Sequence, residues 1–523
     1  MTQNDQPLGI EGAGSLDEID LSALKGKFDF DLLIIGSGPA GQRAAISAAK
    51  HGAKVALVER DPLAGGVCLN TGTIPSKTLR EAVLYLTGYR QRGYYGANYR
   101  MKDKISTQDL FDRTNLVIRL ERGDINEDLE NNGVIRLVGT ARLLGPNDVE
   151  IEMGTDRSTV RARKIIIAVG TVPRRPSDVP FDDVNIFDSD AVFGQANKMR
   201  PLPETVIVMG AGVIGIEYAC MFATLDIPTT LVDPRPNPLA FVDDEISQLL
   251  YTRLQQVGTK LIFGVKHKHI EIIGPAGDPS SHVKVILENG LAIEADNLLF
   301  ALGRIPVVEK LGLDKAGVAV DERGNIKVDD TYRTSVPSIY AAGDVIGFPS
   351  LASTSAEQGR VAALNALGAP ALWHPDLLPY GIYTIPEISM VGKSEQDLVK
   401  ANIPYFKGTA LFRDTARGKI LGDLSGALKL LFSHESRKLL GVHIIGEGAT
   451  ELLHIGQAVM HFGGTPEYFV NTVFNYPTLA EAYKIAAFNA INRLTGRTRH
   501  TAPLQEQIYS EVNPEDYVKW TPT

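Results

Sequence analysis

Along this chain, short uninterrupted apolar runs alternate with longer stretches in which apolar residues recur at helical spacing. Phe30-Asp31-Leu32-Leu33-Ile34-Ile35 reads as a buried strand, followed at once by Gly36-Ser37-Gly38-Pro39-Ala40-Gly41 and an alanine-rich helical pattern to about Lys50. Lys54-Val55-Ala56-Leu57-Val58 predicts a second strand that delivers Glu59, 23 positions after Gly36. The same unit recurs as the strand Thr205-Val206-Ile207-Val208-Met209, the turn Gly210-Ala211-Gly212-Val213-Ile214-Gly215, a helix, and the strand Thr229-Thr230-Leu231-Val232. That last strand ends in Asp233, again 23 positions after the first glycine. In each copy the glycines allow a tight turn and close approach of a pyrophosphate to a helix N-terminus, with the acid placed for a ribose. A glycine turn that binds nothing is the plain alternative for either copy alone, and the matched pair argues against it.

Between the copies the pattern predicts a helix starting near Ser76, then mixed strands up to Ile165-Ile166-Ile167-Ala168-Val169-Gly170. Asn297-Leu298-Leu299-Phe300-Ala301-Leu302-Gly303-Arg304 and Ser338-Ile339-Tyr340-Ala341-Ala342-Gly343-Asp344 repeat the strand-then-glycine pattern after the second copy. From about Leu377 the chain turns to hairpin-like alternation, as in Ala427-Leu428-Lys429-Leu430-Leu431-Phe432, with helices at roughly 450–462 and 479–494. This is an α+β third domain. The tail from about Thr495 has weak periodicity and is expected to lie along a surface.

Composition narrows the picture. A chain of 523 residues, 44% hydrophobic and 22% charged, suits a globular protein of about three domains. A net charge of -9 argues against nucleic-acid and anionic-membrane partners and favours small-molecule chemistry. Cys68 and Cys220 are the two cysteines, in different predicted domains, so no disulfide framework is expected and a reducing cytoplasm fits. The first 26 residues carry Asp5, Glu11, Asp17, Glu18 and Asp20 without an apolar run, unlike a signal or transit peptide. No segment reads as a membrane span. His443, His454 and His461 have no metal-ligand spacing, so no metal site is expected.

Two dinucleotide signatures in series, Cys68 within Gly65–Lys77, and Gly343-Asp344 downstream resemble the FAD-dependent pyridine nucleotide-disulfide oxidoreductase family over about residues 29–495. Gly381-Ile382-Tyr383-Thr384-Ile385-Pro386-Glu387-Ile388-Ser389 and Phe474-Asn475-Tyr476-Pro477-Thr478-Leu479-Ala480-Glu481-Ala482-Tyr483 are similar to the family's soluble, Si-specific transhydrogenase branch. The resemblance implies an α/β fold with two Rossmann-like domains, for FAD and NAD(P), plus a C-terminal α+β dimerisation domain. The implied division is a polar extension at 1–28, FAD-binding parts at 29–187 and 317–376, and an NAD(P)-binding domain at 188–316. An interface domain at 377–495 and a tail at 496–523 complete it. Also implied are tightly but non-covalently bound FAD, NAD(H) and NADP(H) as substrates, and a second copy of the chain as partner.

Carried over by resemblance, the FAD site comprises Gly36, Gly38, Pro39, Ala40, Gly41, Glu59, Arg60, Gly66, Val67, Cys68, Lys77, Ala168, Gly170, Gly343 and Asp344. The fingerprint glycines would face the pyrophosphate, Glu59 the adenosine ribose and Asp344 the ribityl chain. The NAD(P) site comprises Gly210, Gly212, Val213, Ile214, Gly215, Asp233, Arg235, Gly303 and Arg304. In the family, Lys77 lies beside the hydride-accepting nitrogen of the flavin and pairs with the residue matched by Glu217, which places stabilising positive charge at the ring.

Two departures from the family pattern bear on the chemistry. Disulfide reductases carry two cysteines five apart here, whereas this chain has Cys68 and Thr73, and a hydroxyl neither forms a disulfide nor accepts two electrons. Reductases also carry a histidine before the proline of the C-terminal motif, where this chain has Tyr476, so Glu481 lacks an imidazole to orient. Cys68 keeps a place near a helix start, where a thiolate is favoured, but has no resolving partner. The candidate catalytic set is therefore Lys77, Glu217, Thr73, Cys68, Tyr476 and Glu481. With the thiol relay cut, a hydride accepted from one nicotinamide is expected to leave on another: NADPH + NAD⁺ ⇌ NADP⁺ + NADH, by a ping-pong route. A quinone or dye reductase and a low-turnover flavin redox sensor are the alternatives. Asp233 would bond an NAD ribose, and Arg235 either contacts an NADP 2′-phosphate or is a solvated loop residue.

Overall fold

The computed structural model describes residues 28–96, 98–194, 201–371, 377–497 and 502–509. Residues 1–27 of the polar extension and 510–523 of the tail lie outside them.

The first sheet has the order Ile135–Val138, Val55–Glu59, Phe30–Ile35, Asp156–Ile167, Asp148–Met153, Thr140–Leu143, with Ile339–Ala341 pairing along Asp156–Ile167. Its centre is parallel, in the registers Leu32↔Val55, Leu32↔Lys164 and Ile339↔Ile165. Strand Phe30–Ile35 is apolar throughout its second half because both faces are covered. Leu33 and Ile35 pack in one core cluster, while Leu32 and Ile34 pack in another against Ala44, Ala45 and Ala48 of helix Pro39–Lys50. Burial of each such side chain contributes about 1.5–3 kcal/mol. Helix Ala352–Leu367 crosses the first helix so closely that a Cβ on Gly359 would sit 2.0 Å from the Ala40 carbonyl oxygen.

A second, wholly parallel sheet has the order Lys260–Phe263, Thr229–Asp233, Val206–Met209, Asn297–Phe300, Ile186–Asp188. Where the chain passes between the two sheets, Arg304–Pro306 pairs antiparallel with Thr171–Pro173. The third domain is a five-stranded antiparallel sheet, Tyr380–Ile382, Ile388–Gly392, Leu439–Ile445, Ala427–Ser433, Tyr405–Leu411, with helices Ala449–His461 and Glu481–Leu494. The structure is thus α/β with two Rossmann-like sheets and a C-terminal α+β domain.

The second and third domains are joined through Lys429, fully buried on strand Ala427–Ser433. Its ammonium donates to Asp243 (2.9 Å), Glu245 (2.6 Å) and Glu395. Removing that cation would leave buried carboxylates unpaired, a loss of about 3–5 kcal/mol. The described part of the tail lies against the second domain by one apolar face, with Gln505 and Glu506 exposed. Leu504 and Ile508, one turn apart on helix Leu504–Tyr509, are 0% and 1% exposed in the core that includes Ile246 and Leu250, and Arg413 donates to the Gln507 and Ile508 carbonyls. Among the described residues no helix is long and apolar enough to cross a membrane.

Candidate functional site

Three segments converge on one ion pair. Helix Thr73–Leu86 carries Lys77, whose Nζ lies 2.5 Å from Glu217 Oε2 on helix Val213–Thr224. Glu217 Oε1 accepts the Tyr383 backbone N–H at 2.8 Å, and the Tyr383 ring lies 5.0 Å from the ammonium. Glu217 is buried and Lys77 half-buried, so one domain supplies the cation, the second its counter-ion and the third the donor that fixes the counter-ion. A charge held this way needs no reorganisation when a reacting group arrives.

The glycine turns explain why the helices start where they do. Gly36 has φ +105°, and a Cβ there would lie 2.4 Å from the Ala168 carbonyl oxygen. Gly38 then caps helix Pro39–Lys50 with no side-chain acceptor, Pro39 occupies the first turn, and space is open within 4 Å of a Cβ built on Gly38. Backbone N–H groups therefore face an open cradle at a helix N-terminus, the arrangement a pyrophosphate needs. Gly66 closes one side, since a Cβ there would lie 2.9 Å from Gly38 Cα. Glu59 Oε2 accepts from Ser37 N at 2.9 Å and Ser37 Oγ at 2.7 Å, which ties the carboxylate to the glycine turn. The second copy repeats the backbone, with Gly210 against Ala301 and Gly212 capping helix Val213–Thr224, whose first residues Val213 and Ile214 are half-buried.

The acid of the second copy is held differently. Asp233 is fully buried and accepts from Ala211 N (2.7 Å), Arg235 N (2.8 Å), Arg235 Nε (2.9 Å) and Arg235 Nη2 (2.8 Å). Burial opposes ionisation, yet the bonds from Arg235 and Ala211 hold Asp233 below the usual carboxylate range. The Arg235 side chain remains 53% exposed.

Cys68 sits on the separate short helix Gly66–Asn70 with Val67, not on the helix that begins at Thr73. The expectation of a favoured thiolate is corrected here: burial pushes the Cys68 thiol up, against a hydrogen bond with Thr73. Cys220 is buried in the core, its thiol pushed up to about 12 by burial. Asp344 follows Gly343, whose N–H donates to Gln358 Oε1 at 2.9 Å. Its carboxylate accepts from Ser355 Oγ (3.2 Å) and Thr171 Oγ1 (3.5 Å), and burial raises its pKa. Ala168 and Gly170 follow the end of the long strand Asp156–Ile167, just before Thr171, whereas Arg60 is exposed. Gly303 precedes Arg304, whose guanidinium binds Asp190 and Thr171. Tyr476 stands 69% exposed on the third domain, and Glu481 begins helix Glu481–Leu494 with Oε2 buried and unbonded. Ser37, Thr171, Asp190 and Tyr383 were not singled out as site residues from sequence. Ser37 lies inside the first glycine turn, and that position was its only available signal.

Comparison with known proteins agrees with this geometry. Residues 30–359 match the family described as pyridine nucleotide-disulphide oxidoreductase, and residues 378–487 match its dimerisation domain. The chain is 49% identical over 468 residues to a soluble pyridine nucleotide transhydrogenase of Mycobacterium bovis, covering 89% of this chain and 98% of the relative. It is 42% identical over 476 residues to one of Pectobacterium atrosepticum, covering 90% and 99%. Among solved structures, LpdA of Mycobacterium tuberculosis superposes with a TM-score of 0.79 at 25% identity, covering 87% of this chain and 99% of that one. The HOCl-induced flavoprotein disulfide reductase RclA of Escherichia coli, as a Cu(II) complex, superposes with a TM-score of 0.77 at 25% identity, covering 88% and 99%. Through its two glycine cradles and the ion pair between them, this chain belongs to the pyridine nucleotide-disulphide oxidoreductase family.

Proposed function

We propose that the protein is a soluble-type pyridine nucleotide transhydrogenase, passing hydride reversibly between NADPH and NAD⁺ in a ping-pong cycle without a redox-active disulfide. The observation that carries the reading is the Lys77–Glu217 pair beside a position where Thr73 replaces a second cysteine, together with the relatives' names. Burial disfavours the thiolate at both cysteines.

The first cradle fits FAD. Gly36, Gly38 and Gly41 would leave room for its pyrophosphate at the helix N-terminus, Glu59 would take the adenosine ribose, and Asp344 the ribityl chain. Bound FAD supplies the two-electron carrier that lets one nicotinamide exchange hydride with another. Lys77 contributes positive charge at the reacting face, and Glu217, fixed by Tyr383 N–H, keeps that ammonium in place. On the second cradle, Asp233 is neutralised by a bidentate arginine, so it repels a 2′-phosphate less than a free carboxylate would. The exposed edge of Arg235 is available to that phosphate. Both nucleotides are thereby admitted.

The division into FAD-binding parts 29–187 and 317–376, NAD(P)-binding 188–316 and interface 377–495 belongs to the same reading. The dimerisation-domain match and the exposed Phe462, Val473 and Tyr476 support self-association. Two unpaired cysteines suit a reducing cytoplasm. The test is anaerobic stopped-flow absorbance: NADPH should bleach the flavin and NAD⁺ should restore it. Restoration by a small quinone but not by NAD⁺ would replace this reading with the dye-reductase one.

A further inference from the structure

Arg304 reads from sequence as a nucleotide contact, but its guanidinium is already engaged. Nη1 and Nη2 donate to the two carboxylate oxygens of Asp190 at 2.8 and 3.2 Å. Nε donates to Thr171 Oγ1 at 2.9 Å, and Nη2 to the Thr171 carbonyl at 2.9 Å. Nearly all of the fork's donors are committed, and the side chain is 16% exposed. Little remains for a phosphate arriving from solvent.

The consequence runs through Thr171. Its hydroxyl accepts from Arg304 Nε, which leaves its single proton for Asp344 Oδ2, 3.5 Å away, while Ser355 Oγ donates to the other carboxylate oxygen at 3.2 Å. Asp190 precedes the turn Ala191–Phe193, which follows the edge strand Ile186–Asp188 of the second sheet. Thr171 begins the ribbon strand Thr171–Pro173, paired with Arg304–Pro306 where the chain crosses between the domains. A single cation thus ties the second dinucleotide domain to the carboxylate that closes the first.

We propose that Arg304 is a positioning residue for the flavin seat: through Thr171 it sets the orientation of Asp344, and through Asp190 it ties that seat to the nicotinamide-binding domain. The proposal rests on the reading of Asp344 as a flavin ribityl contact. The positive charge of Arg304 also opposes the burial that raises the Asp344 pKa, and so favours the ionised acceptor.

The test compares R304Q, R304K, T171V, D190N and D344N holoenzymes by FAD retention on dilution, the visible flavin spectrum and the flavin midpoint potential, alongside binding of 2′,5′-ADP. R304Q and T171V are expected to weaken FAD retention by about tenfold, the loss of one charge-supported hydrogen bond, and to shift spectrum and potential in the same direction as D344N. R304K should fall between R304Q and the parent, and D190N should reproduce part of the R304Q shift while adding little to it in the double variant. Affinity for 2′,5′-ADP should not change in R304Q or T171V. T171V leaves the arginine in place, so it keeps the proposal testable if R304Q folds poorly. Unchanged FAD retention, spectrum and potential in R304Q and T171V, with D344N impaired, would overturn the proposal and leave the reading of Asp344 intact. Weaker 2′,5′-ADP binding in R304Q with a normal flavin would return Arg304 to the nucleotide site. Normal FAD retention in D344N would remove the reading of Asp344 and the proposal with it.

Discussion

The two glycine cradles share a backbone and differ in what holds the acid. In both, a Cβ on the third glycine would sit 1.8 Å from the carbonyl oxygen of the first, Gly41 against Gly36 and Gly215 against Gly210. Both helices start at an uncapped glycine with nearly identical φ, -66° at Gly38 and -70° at Gly212. The acids diverge. Glu59 is bonded by Ser37, whose hydroxyl also accepts the Gly65 N–H at 3.0 Å, which links the first cradle to the turn before Cys68. Ala211 replaces Ser37 in the second copy, and Asp233 is bound by Arg235, a half-exposed side chain. The shared backbone suits a phosphate, which needs N–H groups and little else. The side chains differ: half-buried Glu59 is bonded by the buried Ser37, whereas fully buried Asp233 is bonded by the half-exposed Arg235.

The largest effects should come from the glycines. G41A is expected to yield protein without flavin, whereas G215A should retain the flavin spectrum and lose NADPH-dependent bleaching by about a hundredfold or more, as displacement of a bound reactant by an ångström does. Absorbance after gel filtration and stopped-flow reduction separate the two. If G215A also loses its flavin, the cradles are not independent. Between the cradles, K77Q should keep its FAD but slow bleaching by about 10²–10³-fold, the usual scale for removing one preorganised electrostatic contact, and a normal rate would take Lys77 out of the chemistry.

S37A makes the first cradle resemble the second. The FAD dissociation constant is expected to rise about tenfold, because a buried hydroxyl bond is lost and Glu59 and Gly65 N–H are left short of a partner. An unchanged constant, measured by fluorescence on dilution, would mean that the Ser37 link does not distinguish the copies. R235A removes both the exposed edge offered to a phosphate and the fork that holds buried Asp233: the KM for NADPH is expected to rise by several-fold more than that for NADH, on the order of 1 kcal/mol of discrimination. Equal changes in both would remove Arg235 from nucleotide selection.

Features that depend on local backbone were legible in the sequence. The strand, glycine turn and following acid lie within two dozen residues and require particular glycines, so both cradles could be placed by counting. Lys77 and Glu217 were recognised by resemblance, and their 2.5 Å contact joins residues 140 apart. What pattern could not reveal were side-chain partners set by the packing of distant segments. Arg304 meets Thr171 across 133 positions and Lys429 meets Asp243 across 186, and nothing in their neighbourhoods marks either pairing. The upward push on the Cys68 thiol comes from burial, which spacing does not report. The Leu504 and Ile508 pair occupies a six-residue helix, too short for a periodic signal.

The central claim is that hydride reaches a second nicotinamide with no thiol between. The direct measurement is the initial rate of thionicotinamide-NAD⁺ reduction by NADPH, using purified FAD-loaded protein over a grid of both concentrations, before and after alkylation of accessible thiols. The account predicts turnover with parallel double-reciprocal lines that alkylation leaves unchanged. Absence of thionicotinamide reduction, or its abolition by alkylation, would contradict it.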